Sequence, residues 1–567
     1  MRLTRRYRAA LCAIAAAVLY FAGLGRPALW EPDEGRYAEV AREMIVSGDY
    51  ITPRNDWVPY FEKPPLVYWL TAASLKAFGA NEFAVRCQAA VFSAGQVGIT
   101  EALGEALFGT ATGLFAALAL ALSPLFFAFA RFATPDPALA FFFTAALAAF
   151  YAAATSPSFT TVSGRRWMFT ASTMLALGTL TKGPVALFLA GAIALAWLIA
   201  EGRICDSLRV PWLGCAAIYL TIVMPWFVVV AYRNPDFLRF YIIHEHLHRY
   251  LANREHGWGP WFFIPVVIAG TWPWFYFIPR SVPGLWNDGV EDNEHLRSRR
   301  RAALRFLLLW FGIVFVFFSI PRSKLGEYIL PAFPALAIMA GWSLASLAQL
   351  PNRRANQMLT GLFILNSIIL VAAISATIVA RRSLLLGLRI DLIVAACGLF
   401  AGSGFALVIS LWSGPRLTSA AITFGVLVMV AALMTARLDA APLYSYRELA
   451  LEIRPHLTPA CKLASYHHQI QALPFYTGHR EILAGYRGEL APFGDSPDAS
   501  ASFIATDNQL ASLWSSGSCV VIIANRKDLP HLRKLLQPTA SIIGCEGKKF
   551  ALFNHASSES SSTAACH

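Results

Sequence analysis

Long apolar runs broken by short polar turns carry the chain from residue 7 to residue 436 and then stop. At roughly twenty residues per membrane crossing, they divide into thirteen candidate spans: 7–26, 82–108, 110–130, 136–155, 167–181, 184–200, 210–231, 259–279, 303–320, 328–349, 357–380, 387–412 and 416–436. One polar stretch interrupts them early, at 31–70, EPDEGRYAEVAREMIVSGDYITPRNDWVPYFEKPPLVYWL. Within it Tyr37, Val40, Ala41, Met44 and Ile45 fall at i, i+3, i+4, i+7 and i+8, which predicts an amphipathic helix over 34–47. Pro32 and Asp33 open that helix and Gly48 closes it. Neither it nor the segment around Pro64 and Pro65 is long enough to span, so both are expected to lie at a membrane surface.

Beyond Arg437 the pattern shortens to that of a small α/β domain. It predicts a helix at 444–456, strands near 461–466 and 480–485, a helix at 506–515, a strand at 519–524, a helix at 528–537 and a final strand pair within 540–553. About 115 residues can bury a modest core. The Ser-rich end, 556–567, is expected to be disordered. The predicted organisation is therefore a membrane part, 1–437, containing the insert 31–70, followed by an α/β domain at 438–555. The chain contains no internal repeat and no Gly-rich phosphate loop.

Composition fixes the class. The 567 residues are 56% hydrophobic and 14% charged, with 40 Phe, 16 Trp and a mean hydropathy of +0.51, a balance that excludes an ordinary soluble protein. The reading is an α-helical polytopic membrane protein with a small soluble α/β domain. A net charge of +13 would suggest nucleic acid in a soluble chain. Here it follows from Arg2, Arg5, Arg6 and Arg8, then Arg165, Arg166, Arg203, Arg209, Arg297, Arg299, Arg300, Arg301, Arg305, Arg353 and Arg354, all in loops of one side. The positive-inside rule makes that side the cytoplasm, with anionic lipid as partner and no nucleic acid. The basic, apolar start resembles a signal peptide without a cleavage site and reads as a retained signal-anchor. Cysteines in or beside apolar runs read as small hydrophobes, whereas Cys461, Cys519 and Cys545 can pair if the tail faces an oxidising compartment.

Thirteen crossings from a cytoplasmic start bring Asp33, Lys63, Asp136, Lys182, residues 244–256, Lys324 and the C-terminus out on the opposite face. There Arg131, Lys182, Arg249, Arg322 and Lys324 run against the charge rule, which points to an anionic partner, most simply a substrate. Asp33 and Glu34 exceed what one helix cap needs, with Arg36 a turn further on. Asp136 opens an apolar helix in TPDP, where capping alone would explain it. Lys63 precedes two prolines, so its backbone is extended and Glu62 and Lys63 are expected to point apart. Lys182, in LTKGP, sits at a helix end where the dipole favours a cation in any case, and Arg249 is ambiguous in the same way. Residues 244–248, HEHLH, match the zincin pattern, with His244 and His248 as ligands and Glu245 as base. A metalloprotease would leave the insert without a role. A transporter or lipid flippase would place its charges within spans and often show repeats.

The insert resembles the signature of bacterial transferases that add 4-amino-4-deoxy-L-arabinose to lipid A, which are C-type glycosyltransferases related to protein O-mannosyltransferases. RFATPDPALAFF at 131–142, LTKGP at 180–184 and FFSIPRSKLGEYILPAFPALA at 317–337 support the likeness. It implies thirteen spans in a bacterial inner membrane, with a periplasmic active site and a periplasmic C-terminal domain. The donor it implies is a sugar on undecaprenyl phosphate, the acceptor lipid A or another periplasmic molecule, and no nucleotide is expected. Asp33 then resembles the main catalytic acid and Asp136 the second, with Glu34 and Arg36 beside them. Lys63, Lys182, Arg249, Lys324 and Tyr328 resemble carrier-phosphate contacts, and Glu62 and His244 match positions for a divalent metal such as zinc, magnesium or manganese.

Overall fold

The computed structural model describes residues 4–242, 257–287, 294–380, 385–494, 497–537 and 540–554. In chain order the first helices are α1 (Arg5–Phe21), α2 (Asp33–Ser47), α3 (Leu66–Phe78), α4 (Glu82–Phe108), α5 (Thr110–Ala121), α6 (Pro124–Phe129), α7 (Asp136–Ala154), α8 (Val162–Lys182) and α9 (Val185–Ala200). The chain forms two compact units: residues up to Gly23 with Ala89–Asp439, and Leu24–Gln88 with the chain from Ala440 onward.

Every one of the thirteen apolar segments is helical. Among the described residues seven helices are long and apolar enough to cross a membrane unaided, or eight if the bent pair Pro260–Gly270 and Trp274–Pro283, at 99°, is one broken span rather than a re-entrant loop. The remainder fall short of the predicted thirteen for physical reasons. The segment 110–130 breaks at Leu122 and Ser123, where Pro124 starts a new helix, and α5 and α9 are shorter than a full crossing. Helix α4 carries Glu82, Arg86, Glu101 and Glu105 along its length.

In the first unit α7 and α8 pack as neighbours, which sets the start of α7 beside the end of α8. Helix α5 lies so close to Phe333–Leu347 that a β-carbon on Gly341 would stand 2.5 Å from the Ala116 nitrogen, so only glycine fits there. Arg8 answers Glu105, its Nε 3.0 Å from Oε2. Arg131 donates to the Tyr20 and Ala22 carbonyls at 2.7 Å each, closing the end of α1. The unsatisfied carbonyls of a helix end attract a cation as an anion does.

The second unit is built on a six-stranded mixed sheet. A hairpin of β1 (Arg54–Asn55) and β2 (Val58–Pro59) lies apart from it in the insert. The sheet itself contains β3 (Lys462–Tyr466), β4 (Glu481–Ala484), β5 (Phe503–Ile504), β6 (Val520–Asn525), β7 (Ser541–Glu546) and β8 (Lys549–Phe553), in the order β5-β4-β3-β6-β8-β7. The first four strands are mutually parallel and β8 runs antiparallel to both β6 and β7. Val520 to Ala524 are all buried, as a strand covered on both faces requires. Cys461 and Cys519 form a disulfide across β3 and β6.

Helix α2 belongs with this sheet. Its bounds and its left-handed cap at Gly48, φ 72°, agree with the pattern, but its apolar face does not lie on lipid. Tyr37, Val40 and Met44 are buried with Val58, Tyr60 and Tyr68 against Leu483, Leu490 and Ala499. The stripe that reads as membrane-facing is the insert's seam with the α/β domain, since periodicity reports that a face is buried but not against what. Gly35 is a point of close approach, where a β-carbon would meet the Ala472 nitrogen at 2.5 Å.

Candidate active site

Asp136 is the first residue of α7, between Pro135 and Pro137, and Lys182 is the last of α8, ahead of Gly183 at φ 87°. Consecutive packed helices therefore bring the two side chains together, Nζ to Oδ1 at 2.6 Å, with side-chain exposures of 15% and 4%. The ammonium also lies 4.3 Å from the centre of the Tyr328 ring, within cation–π range. Tyr328 comes from the turn Gly326–Ala332 and packs on Phe318. Three residues predicted separately thus meet at one point of the first unit. Lys324 does something else: it is buried, and its ammonium donates to the carbonyls of Trp258 and Pro321. It pins its own loop, which corrects its assignment as a carrier contact.

In the second unit Asp33 is the most open of the predicted acids. Its side chain is 39% exposed and its Oδ1 lies 3.6 Å from Arg36. Arg36 is nearly buried and is held from the other side by Glu489 at 3.0 Å, with its guanidinium 5.9 Å from the Tyr60 ring centre. Arg36 therefore orients Asp33. Glu34 is different. Its carboxylate receives both prongs of Arg86, at 2.7 and 2.6 Å, together with the Trp30 N–H at 3.1 Å, and both ionic side chains are fully buried. Its expected part in the chemistry is corrected to an anchoring one, because its oxygens are already committed.

Lys63 also departs from expectation. Its flexible stem turns back, so that Nζ donates to the Glu62 carbonyl at 3.0 Å and approaches the Glu62 carboxylate at 3.7 Å. The extended backbone before Pro64 directs the Cβ atoms apart but does not control four further rotatable bonds. This bears on the metal. Glu62 faces the cations Lys63 and Arg36, which disfavours a further positive ion, and no group of three His, Cys, Asp or Glu among the described residues is placed to hold one. His244 and Arg249, and the HEHLH run with them, lie outside the described residues.

Four participants escape sequence reasoning. Arg86 is a lone arginine in an apolar run, a signal that could have found it. Tyr60 and Glu489 carry no local mark. Glu31 accepts from the backbone N–H groups of Ala472 and Gln471 at 2.7 and 2.9 Å. Burial pushes its carboxyl up to about 7 against those hydrogen bonds and Arg36, and Asp33 adds to the rise.

Residues 62–228 match the family model for dolichyl-phosphate-mannose-protein mannosyltransferase, and 449–550 the model for the aminoarabinose transferase C-terminal domain. The chain is 30% identical over 428 residues to the undecaprenyl phosphate-alpha-4-amino-4-deoxy-L-arabinose arabinosyl transferase of Pseudomonas aeruginosa PAO1, 74% of this chain and 75% of that one. It is 33% identical over 332 residues to the Shewanella sediminis protein of the same name, where the match spans 58% of that relative's length. Among solved structures it is similar to ArnT from Cupriavidus metallidurans bound to undecaprenyl phosphate, with 28% identity, a TM-score of 0.84 and coverage of 97% and 98% of the two chains.

Proposed function

This chain belongs to the family of undecaprenyl phosphate-alpha-4-amino-4-deoxy-L-arabinose arabinosyl transferases, and from that premise we propose that it transfers 4-amino-4-deoxy-L-arabinose from undecaprenyl phosphate to lipid A. The observation that carries the reading is the Asp136–Lys182 pair against Tyr328, a nearly buried cation at the mouth of two helices. An ammonium has three N–H donors, so Lys182 can meet a carrier phosphate while Asp136 keeps it aimed.

In the proposed reaction the bond from the anomeric carbon to the phosphate oxygen breaks, and its electron pair leaves with undecaprenyl phosphate. A phosphate oxygen of lipid A makes the new bond from the opposite face, inverting the carbon. Charge grows on the departing phosphate, where Lys182 acts, with Lys63 and Arg249 as further candidates. The attacking phosphate is ionised near neutral pH and needs no base. Asp33, open to solvent and steered by Arg36, would orient the acceptor or offset positive charge at the sugar carbon; toward a hydroxyl acceptor it would serve as base. No step requires a nucleotide or is routed through a metal.

The finer topology belongs to the same proposal: thirteen crossings of the bacterial inner membrane, with the site and the α/β domain in the periplasm. The arginine asymmetry supports that orientation, as does the Cys461–Cys519 disulfide, which suits an oxidising compartment. The test is mass spectrometry of lipid A from cells lacking the gene, complemented with the wild type or with Asp33→Asn. We expect one aminopentose to be gained with the wild type and lost with the variant. Identical lipid A in all three strains would refute the activity.

A further inference from the structure

A cavity of about 1070 Å³ opens in the first unit among α1, α4, α7, α8 and the helix Glu294–Ser319. It lies at the far end of α7 and α8 from the candidate site. On α7 its wall runs from Ala145 to Ala152, nine to sixteen residues and about 14–24 Å of helix from Asp136; on α8 it takes Trp167 and Thr170, in the first half, while Lys182 ends that helix.

Two features of the lining specify an occupant. Ala145, Ala148, Ala149 and Ala152 fall at i, i+3, i+4 and i+7, so one face of α7 presents methyl groups where larger side chains would fill the space. At the rim stand Arg5, Arg6, Arg299 and Arg300, contributed by two helices remote in sequence. No acidic residue lines the cavity among the described residues; close by, Glu105 is paired with Arg8, Glu101 lies within electrostatic reach of Arg8 and Arg5, and Arg5 also donates to the Ala102 carbonyl. A neighbouring cavity of about 500 Å³ shares Thr170 and adds Arg166. An apolar trough capped by guanidinium groups, on the side that the arginine distribution assigns to the cytoplasm, matches one chemistry: an anionic headgroup joined to a hydrocarbon chain.

We propose that this cavity binds an anionic phospholipid of the cytoplasmic leaflet, its phosphate on the arginine rim and an acyl chain along the α7 alanines. The lipid is distinct from the donor, and it ties together the ends of the helices whose other ends carry Asp136 and Lys182. Ordered guanidinium forks suit phosphate oxygens, and because the acyl chain only exchanges one apolar medium for another, they supply the preference over a neutral lipid.

The full-length protein in nanodiscs of phosphatidylcholine, with and without phosphatidylglycerol, supplies the test. We expect phosphatidylglycerol to raise the thermal midpoint and to remain bound in native mass spectrometry. The double substitution Arg299→Gln with Arg300→Gln, at the exposed rim, should lower retention several-fold, and Ala148→Phe, which fills the trough without touching charge, should do the same. Retention and midpoint shift unchanged in both variants would overturn the proposal. So would an equal shift from inorganic phosphate, which would mean an anion site without a lipid, or stoichiometric displacement of phosphatidylglycerol by undecaprenyl phosphate, which would assign the cavity to carrier lipid.

Discussion

Two acid–base pairs invite comparison, because both acids stand in the first turn of a helix entered through a proline and both cations come from another part of the chain. Glu34 and Arg86 are sealed, each with 0% of its side chain exposed, joined by two prongs and supported by the Trp30 N–H. Asp136 and Lys182 make a single 2.6 Å contact and keep an opening, 15% exposed on the lysine side. Arginine's planar fork saturates a carboxylate, whereas an ammonium leaves donors over. The same motif thus serves as a rivet in one place and as a receptor in the other, with exposure and donor number making the difference.

The sharpest way to break this contrast is Arg86→Ala. Leaving Glu34 buried and uncompensated should cost about 3–5 kcal/mol, seen as a large drop in the thermal midpoint and in yield, and a near-normal midpoint would show that the pair is not structural. Lys182→Ala should do the reverse. With folding near that of the wild type, transfer from the carrier-linked sugar should fall by roughly 10²–10³-fold; a loss confined to stability would make this pair a second rivet. Gly35→Ala probes the seam that positions Asp33 and Arg36, since its methyl group would press on the Ala472 backbone. A destabilisation of about 1–3 kcal/mol is expected, measurable by thermal unfolding, and a neutral result would show the seam to be compliant.

The smallest effect concerns pH. Glu31 titrates near 7 in the folded protein, above its ordinary 4.5, and burial likewise raises Asp56 to about 8 against the Glu481 N–H, with Glu39 adding and Arg480 opposing. Groups raised in this way bind more protons folded than unfolded. Their contribution is complete below the ordinary carboxylate range and is lost as pH rises through about 7 to 8. The second unit should therefore be less stable at pH 8 than at pH 5, and Glu31→Gln should shallow that slope in thermal melts. A slope unchanged by the substitution would remove Glu31 from the account.

These contrasts also mark what the sequence makes readable. The apolar helices, the α2 bounds and most strands of the α/β domain follow from local periodicity, which a chain displays without reference to distant partners. Asp136 and Lys182 were each legible as charged residues at helix mouths, and their meeting follows from two packed consecutive helices. The fates of Glu34 and Asp33 were not legible, because the residues that decide them, Arg86 and Glu489, lie 52 and 453 positions from their contacts. The contacts of Lys63 and Arg131 were hidden for a related reason, since backbone carbonyls are acceptors that no side-chain pattern displays.

One consequence follows from the seam between the insert and the sheet. Residues 24–88 are synthesised hundreds of residues before the strands on which they pack, so this early insert must wait, with its tyrosines and acids uncovered, for the last quarter of the polypeptide. Truncation ahead of β3 would strip that loop of its support rather than detach an accessory module. The C-terminal segment is in this sense an obligate scaffold for the loop that bears Asp33.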